Sequence, residues 1–292
     1  MGKGQWQVGL AYRRLTADQW FVGTEIREDQ APFGQPLLLN INSIDFTAYY
    51  GVTDRLSLSL TLPFSTGTHS RFYADGARHK VSASGLGDIS LTGNFWLFDP
   101  ERHSRGNLSL QVGVKAPTGK NDAVDDYFLA SGKTSFAVDQ AIQLGDGGWG
   151  ILLQMQAFQE LFSNAYGYAY GSYLASPRNQ SDVVRSPGSS VRISVPDVYS
   201  GRLGLSYAVL PKWGFSASFG GRVDGLPSRD LIGGSDGFRR PIVVAYVDPG
   251  VSLRLGGNTL FVNVPIRVYA NFIAGAGDLA KYLIYAGVDH RF

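Results

Sequence analysis

Along most of this chain a large apolar residue occupies every second position. From Leu56 to Phe64, Leu56, Leu58, Leu60, Leu62 and Phe64 alternate with Arg55, Ser57, Ser59, Thr61 and Pro63. A period of two is the mark of a β-strand with one greasy and one polar face. The pattern returns at Trp6 to Tyr12, Ile44 to Tyr50, Ile89 to Leu97, Leu108 to Ala116, Phe136 to Leu144 and Trp149 to Ala157. It continues at Tyr199 to Val209, Trp213 to Val223, Val243 to Leu255, Leu260 to Val268 and, finally, Tyr282 to Phe292. These runs predict about twelve strands, several longer than the five or six residues usual in globular sheets.

The connections between the runs alternate in length. Tight links at Thr53-Asp54, Gly145-Asp146-Gly147-Gly148, Leu210-Pro211-Lys212 and Gly256-Gly257-Asn258 contrast with long ones, a polar stretch before Leu38, Ser65 to Gly85, Ser163 to Pro196 and Asp224 to Arg240. An even number of strands with short turns at one end and long loops at the other predicts an all-β fold: one closed antiparallel transmembrane β-barrel over residues 1–292, with periplasmic turns and extracellular loops. Closure is required because hydrocarbon offers no water to an open sheet edge. The first and last strands are therefore expected to pair.

Composition agrees with one lipid-facing and one wet face. The 292 residues include 37 Gly, 15 Tyr, 17 Phe and 5 Trp, charged residues make up 17%, and mean hydropathy is only -0.06. No apolar run approaches the roughly 18 residues of a helical span. With no Cys there is no disulfide framework, thiol catalysis or cysteine-bound metal. The net charge of +2 comes without a basic run able to track phosphates, so no nucleic-acid partner is expected. No apolar signal segment precedes the first run, so the chain is expected to be a mature form with an initiator Met.

With the apolar face toward lipid, the opposite face lines the lumen. It carries Arg13, Arg55, Lys115, Arg202, Arg222, Arg254, Arg267 and Arg291 against Asp45, Asp88, Asp139, Glu160, Asp224, Asp248 and Asp289. The signs nearly cancel, which predicts paired charges along the wall, serving either a solute path or a rigid filling. Trp6, Trp149, Trp213 and Phe292 are expected to form an aromatic girdle at the periplasmic rim.

Other motifs lack the context their chemistry needs. Gly233-Gly234-Ser235-Asp236-Gly237 spells a nucleophile elbow but lies in a polar loop with no following helix. Gly275-Ala276-Gly277-Asp278-Leu279-Ala280 leads into a strand, so no helix N-terminus meets a phosphate. His69 and His79 share one loop and could meet across it, with a solvated pair favoured over a metal site, and Asp122, Asp125 and Asp126 lack the alternating spacing of a Ca²⁺ loop. No cofactor or metal is expected. The tyrosines at 166, 168, 170 and 173 suit either a strand extension or a stacking surface.

Tyr50-Gly51-Val52-Thr53-Asp54-Arg55-Leu56 running to Leu62-Pro63-Phe64, Gly85-Leu86-Gly87-Asp88, and Lys115-Ala116-Pro117-Thr118-Gly119 resemble the bacterial outer-membrane transporter family described as MetA-pathway of phenol degradation. The terminal strand ending on Phe292 resembles the closing strand of outer-membrane barrels, whose last aromatic is read by the assembly machinery. The resemblance implies a non-enzymatic outer-membrane channel for small solutes, aromatic or hydrophobic ones among them, with lipid, solute and assembly machinery as partners. Two other functions stand beside it: a structural or surface-binding barrel with a plugged lumen, and an outer-membrane hydrolase using Ser235.

Overall fold

The computed structural model describes residues 2–292. Twelve antiparallel strands close on themselves, the first pairing with the last from Gln7 opposite Arg291 to Val22 opposite Ala276. In chain order the strands are Trp6–Val22, Leu38–Gly51, Leu56–Phe72, a fourth in two pieces (Arg78–Leu86 and Ser90–Trp96), Gly106–Lys115 and Gly150–Phe162. Then come Ala165–Ala175, Val198–Leu210, Phe215–Leu226, a tenth in two pieces (Ile242–Val247 and Gly250–Leu255), an eleventh in two pieces (Asn258–Asn263 and Ile266–Phe272) and Ala276–Arg291. Pro249 and Pro265 stand at the breaks in the tenth and eleventh strands, where an imino acid has no N–H to give the ladder.

The alternating apolar residues point outward. Leu60 is 41% and Leu203 69% exposed, and no second sheet covers either. Large side chains left bare on eleven of the twelve strands are what a hydrocarbon solvent requires. The first and third strands run 17 residues each. At about 3.3 Å per residue and a tilt of about 40° they rise roughly 43 Å, well past the apolar band of about 25 Å, and therefore stand clear of lipid at the long-loop end.

Twelve is the expected number, but one assigned strand is absent from the wall and an unassigned one takes its place. The run Phe136 to Leu144 is not a wall strand. It forms one arm of a loop hairpin (Val124–Leu129 with Gly132–Ala137) followed by a 3-10 turn, Gln140–Ile142, that enters the barrel. Val138 and Ile142 are buried against protein, so they are apolar for a reason other than lipid. In exchange, Ala165–Ala175, expected within a loop, is the seventh wall strand, joined to the sixth by a turn at Ser163 and Asn164. The register puts Tyr166, Tyr168 and Tyr170 on the face of Arg202, whereas Gly167, Ala169 and Gly171 face outward. Small residues outside and large ones inside mask the alternation.

Segments expected as loops before Leu38 and between Ser65 and Gly85 also hold strand, because above the membrane neither face needs to be apolar. A small hairpin of Gln180–Val184 and Arg192–Ser194 caps the long-loop end.

Candidate functional site

The lumen is two regions stacked along the barrel axis. Toward the short-turn end its wall carries ion pairs between nearby wall residues. Arg13 meets Asp45 at 2.7 Å across the first two strands; higher up, opposite Val244 and Tyr246, the Arg222 guanidinium donates to Asp224 at 2.9 Å and to the Tyr285 hydroxyl at 2.9 Å. Arg202 holds Asp248, which is fully buried at the break in the tenth strand, at 2.6 Å. Glu160 accepts from Arg105 at 2.7 Å. Asp289 faces inward beside Gly9, where a Cβ would strike its carboxylate. Arg55, Arg254 and Arg291 lie exposed around the short-turn rim; Arg55 donates to the Leu97 carbonyl at 3.5 Å and Arg291 to Gln5.

Toward the long-loop end the lumen turns apolar. Ala17, Phe21, Leu39, Val81, Ala83, Val244, Tyr246, Ala270, Phe272, Ala280 and Leu283 form one buried cluster, and the inserted turn contributes Ile142 to it. Gly67 makes room, since a Cβ there would sit 2.6 Å from Ile142 Cγ2. Arg267 belongs to this region, donating to Gln19 and lying 4.3 Å over the Phe21 ring. Asp139, expected on a wall strand, instead caps the inserted turn by accepting from the Ala141 N–H at 3.0 Å. Burial alone would raise its pKa. His69, the Ala141 N–H, Arg240 and Arg71 together outweigh that and hold the carboxyl below its usual range.

The inserted segment is tied down by a knot of residues from two separated motifs. Lys115 Nζ donates to Asp88 at 2.7 Å, to Asp146 at 2.6 Å and to the Gly148 carbonyl at 3.0 Å. Asp88 also accepts from the Gly119 N–H at 2.9 Å, and the Thr118 hydroxyl donates to the Gly87 carbonyl at 3.0 Å while accepting from the Ile89 N–H at 2.9 Å. The residues after Lys115 thus close the gap that splits the fourth strand. Glycine at 119 follows from packing, because a Cβ would lie 2.4 Å from the Leu144 carbonyl oxygen.

Above the knot a cavity of about 1280 Å³ opens among the inserted loop, the Gln180–Val184 hairpin and the upper wall. Over it, Arg239 and Asp230 pair at 2.6 Å. Ser235 lies in that loop with its hydroxyl accepting from the Asp230 N–H at 2.7 Å, and no strand-to-helix turn presents it. His69 and His79 do not meet; His79 bonds Asp75 at 2.6 Å. Asp125 caps the Ser82 N–H and Asp126 pairs with Lys133. Among the described residues no three metal-ligating side chains cluster.

Trp6, its ring tilted against that of Tyr50, stands exposed with Trp213 and Phe292 at the short-turn rim. Trp149 does not join them. Once Phe136 to Leu144 leaves the wall, the strand after Trp149 descends from the long-loop end, and Trp149 lies 62% exposed at the opposite rim.

Residues 42–157, the stretch holding the knot, match the family profile described as "Putative MetA-pathway of phenol degradation". The matched stretch contains both motifs that clasp the split strand. No curated protein sequence matches the chain. Among solved structures it is similar to the COG4313 outer membrane channel from Pseudomonas putida F1, at 18% identity and a TM-score of 0.71, covering 100% of this chain and 97% of that one. It is also similar to the CymD monoaromatic hydrocarbon channel, at 11% identity and a TM-score of 0.50, covering 100% of this chain and 89% of that one. At these identities the likeness is one of fold, that of outer-membrane barrels.

Proposed function

We propose that this protein is a bacterial outer-membrane channel for small, largely apolar solutes, with no catalytic step. One observation carries the reading: the upper lumen, where a narrow barrel for ions would be wet and charged, is lined by Phe21, Leu39, Val81, Val244, Phe272 and Leu283 beside a cavity of about 1280 Å³. The fold is one that a monoaromatic hydrocarbon channel also uses. Lipid surrounds the barrel, and Phe292 is the terminal aromatic that the assembly machinery would read. The mixed-charge residues expected to line the path lie in both regions, Arg13 and Asp45 toward the short turns, and Arg267, Asp139 and the Lys115–Asp88 pair toward the long loops.

The test is uptake of radiolabelled toluene at low concentration by cells whose outer membrane holds or lacks the protein. Faster uptake with the protein is expected; equal rates would contradict the proposal. The inserted Ile142 favours a second reading, a permanently plugged surface protein. Gly67→Val, which pushes that side chain away, is expected to raise ion conductance in planar bilayers under the channel reading and to leave it at zero under the other.

A further inference from the structure

A small compartment of about 100 Å³ adjoins the large cavity and shares Trp20, His69, Arg71, Asp139, Arg240 and Asp278 with its lining. Three of these side chains carry a buried polar atom with no partner: the Trp20 indole N–H, the Arg71 Nε–H and one carboxylate oxygen of Asp278. Trp20 is 7% exposed. Such orphaned groups each cost free energy unless something fills the space between them. Three on residues that line one compartment point to a site for a polar group. We infer that this compartment, resting on the channel function proposed above, binds the hydroxyl of an otherwise apolar solute.

The chemistry selects the hydroxyl over its rivals. Two free donors and one free acceptor call for a group that both accepts and donates, and a hydroxyl is the smallest that does. A carboxylate would satisfy the donors but face the Asp278 and Asp139 charges, whereas an ammonium would satisfy Asp278 and face Arg71 and Arg240. Two guanidinium and two carboxyl side chains line it together, so a charged head of either sign would meet an unfavourable neighbour and a neutral one would not. Apolar neighbours receive the remainder of the molecule: Leu37 and Leu39 line the compartment, and Phe272 and Leu279 line the adjoining cavity. Asp139 and Ala141 belong to the inserted turn, so one wall of the compartment is the plug itself.

The test uses benzyl alcohol, toluene and benzoate on protein in lipid nanodiscs, with tryptophan indole nitrogens labelled and the Trp20 signal assigned through Trp20→Phe. Benzyl alcohol is expected to shift the Trp20 N–H resonance saturably, while toluene and benzoate leave it in place. Asp278→Leu is expected to weaken the alcohol about tenfold, the size of one hydrogen bond to a buried charge. Asp278→Asn, which keeps shape and an acceptor, retains alcohol binding and, by removing a negative charge, admits benzoate. Toluene moving the resonance as far as benzyl alcohol, benzoate binding to the unmodified protein, or no probe moving it, which would leave only water in the compartment, each overturns the assignment. Toluene uptake by cells is a separate measurement, so failure of the site and failure of the channel are told apart.

Discussion

The two halves of this lumen are lined from the same strands and stabilised in opposite ways. Near the short turns, side chains of neighbouring strands pair with one another, as Arg13 does with Asp45, and the Arg13 guanidinium remains 45% exposed to the open lumen. Near the long loops, a segment distant in sequence enters the barrel, Ile142 packs against Gly67, and the Lys115 and Asp88 side chains that secure the segment are only 10% and 9% exposed. A pair bathed in water contributes little because solvent already satisfies both charges. A desolvated charge that loses its partner has nothing to replace it. The exposed Arg13–Asp45 pair is therefore tolerant of change, and the apolar upper half depends on one buried knot.

Unfolding in urea from lipid vesicles sharpens that contrast. Asp88→Ala leaves the Lys115 ammonium buried with Asp146 as its remaining acidic partner and should cost about 3–5 kcal/mol, with the inserted loop becoming open to protease. A loss below about 1 kcal/mol would show that the knot does not hold the plug. A smaller effect is expected at the Arg239–Asp230 pair in the loop above. Burial of Asp230 would raise its pKa, but the Arg239 hydrogen bond, the Asp197 N–H, the Arg239 charge and the Ser235 hydroxyl lower it further, so the net shift is downward. A carboxyl whose folded pKa lies below its unfolded value adds stability above about pH 3.9 and loses it as pH falls through the folded value. The stability difference between the native chain and Asp230→Asn should thus be constant near neutrality and shrink below about pH 4; a difference unchanged down to pH 2 would break the assignment. Smallest of all, Arg13→Ala should cost under about 1 kcal/mol, and a loss of several would mean that the lower wall is as dependent on its pairs as the upper knot.

The same contrast explains what the sequence reveals. Where one face meets lipid, alternation is strict, and Leu56 to Phe64 and Tyr282 to Phe292 are legible as wall strands. Most of the lower ion pairs follow from the parity of those strands. The alternation of Phe136, Val138 and Ile142 comes from burial inside the barrel, a second apolar environment that periodicity does not distinguish from hydrocarbon. The seventh strand is hidden because Ala165, Gly167, Ala169 and Gly171 face out and Tyr166, Tyr168 and Tyr170 face in. These two departures offset each other in the strand total while carrying Trp149 to the other rim. The compartment beside Trp20 has no signature in the sequence at all, because Trp20, Arg71, Arg240 and Asp278 come from four separate segments and only closure of the barrel and folding of its loops brings them together.

The proposition underlying every part of this account is that hydrocarbon touches the outer face of the barrel. Because the chain has no Cys, single cysteines placed at successive positions from Leu58 to Leu62 can carry spin labels without background. In lipid vesicles, labels at 58, 60 and 62 should be open to oxygen and closed to a polar nickel reagent, with the reverse at 59 and 61. Equal access at all five positions, or exclusion of oxygen from the leucine positions, would contradict it.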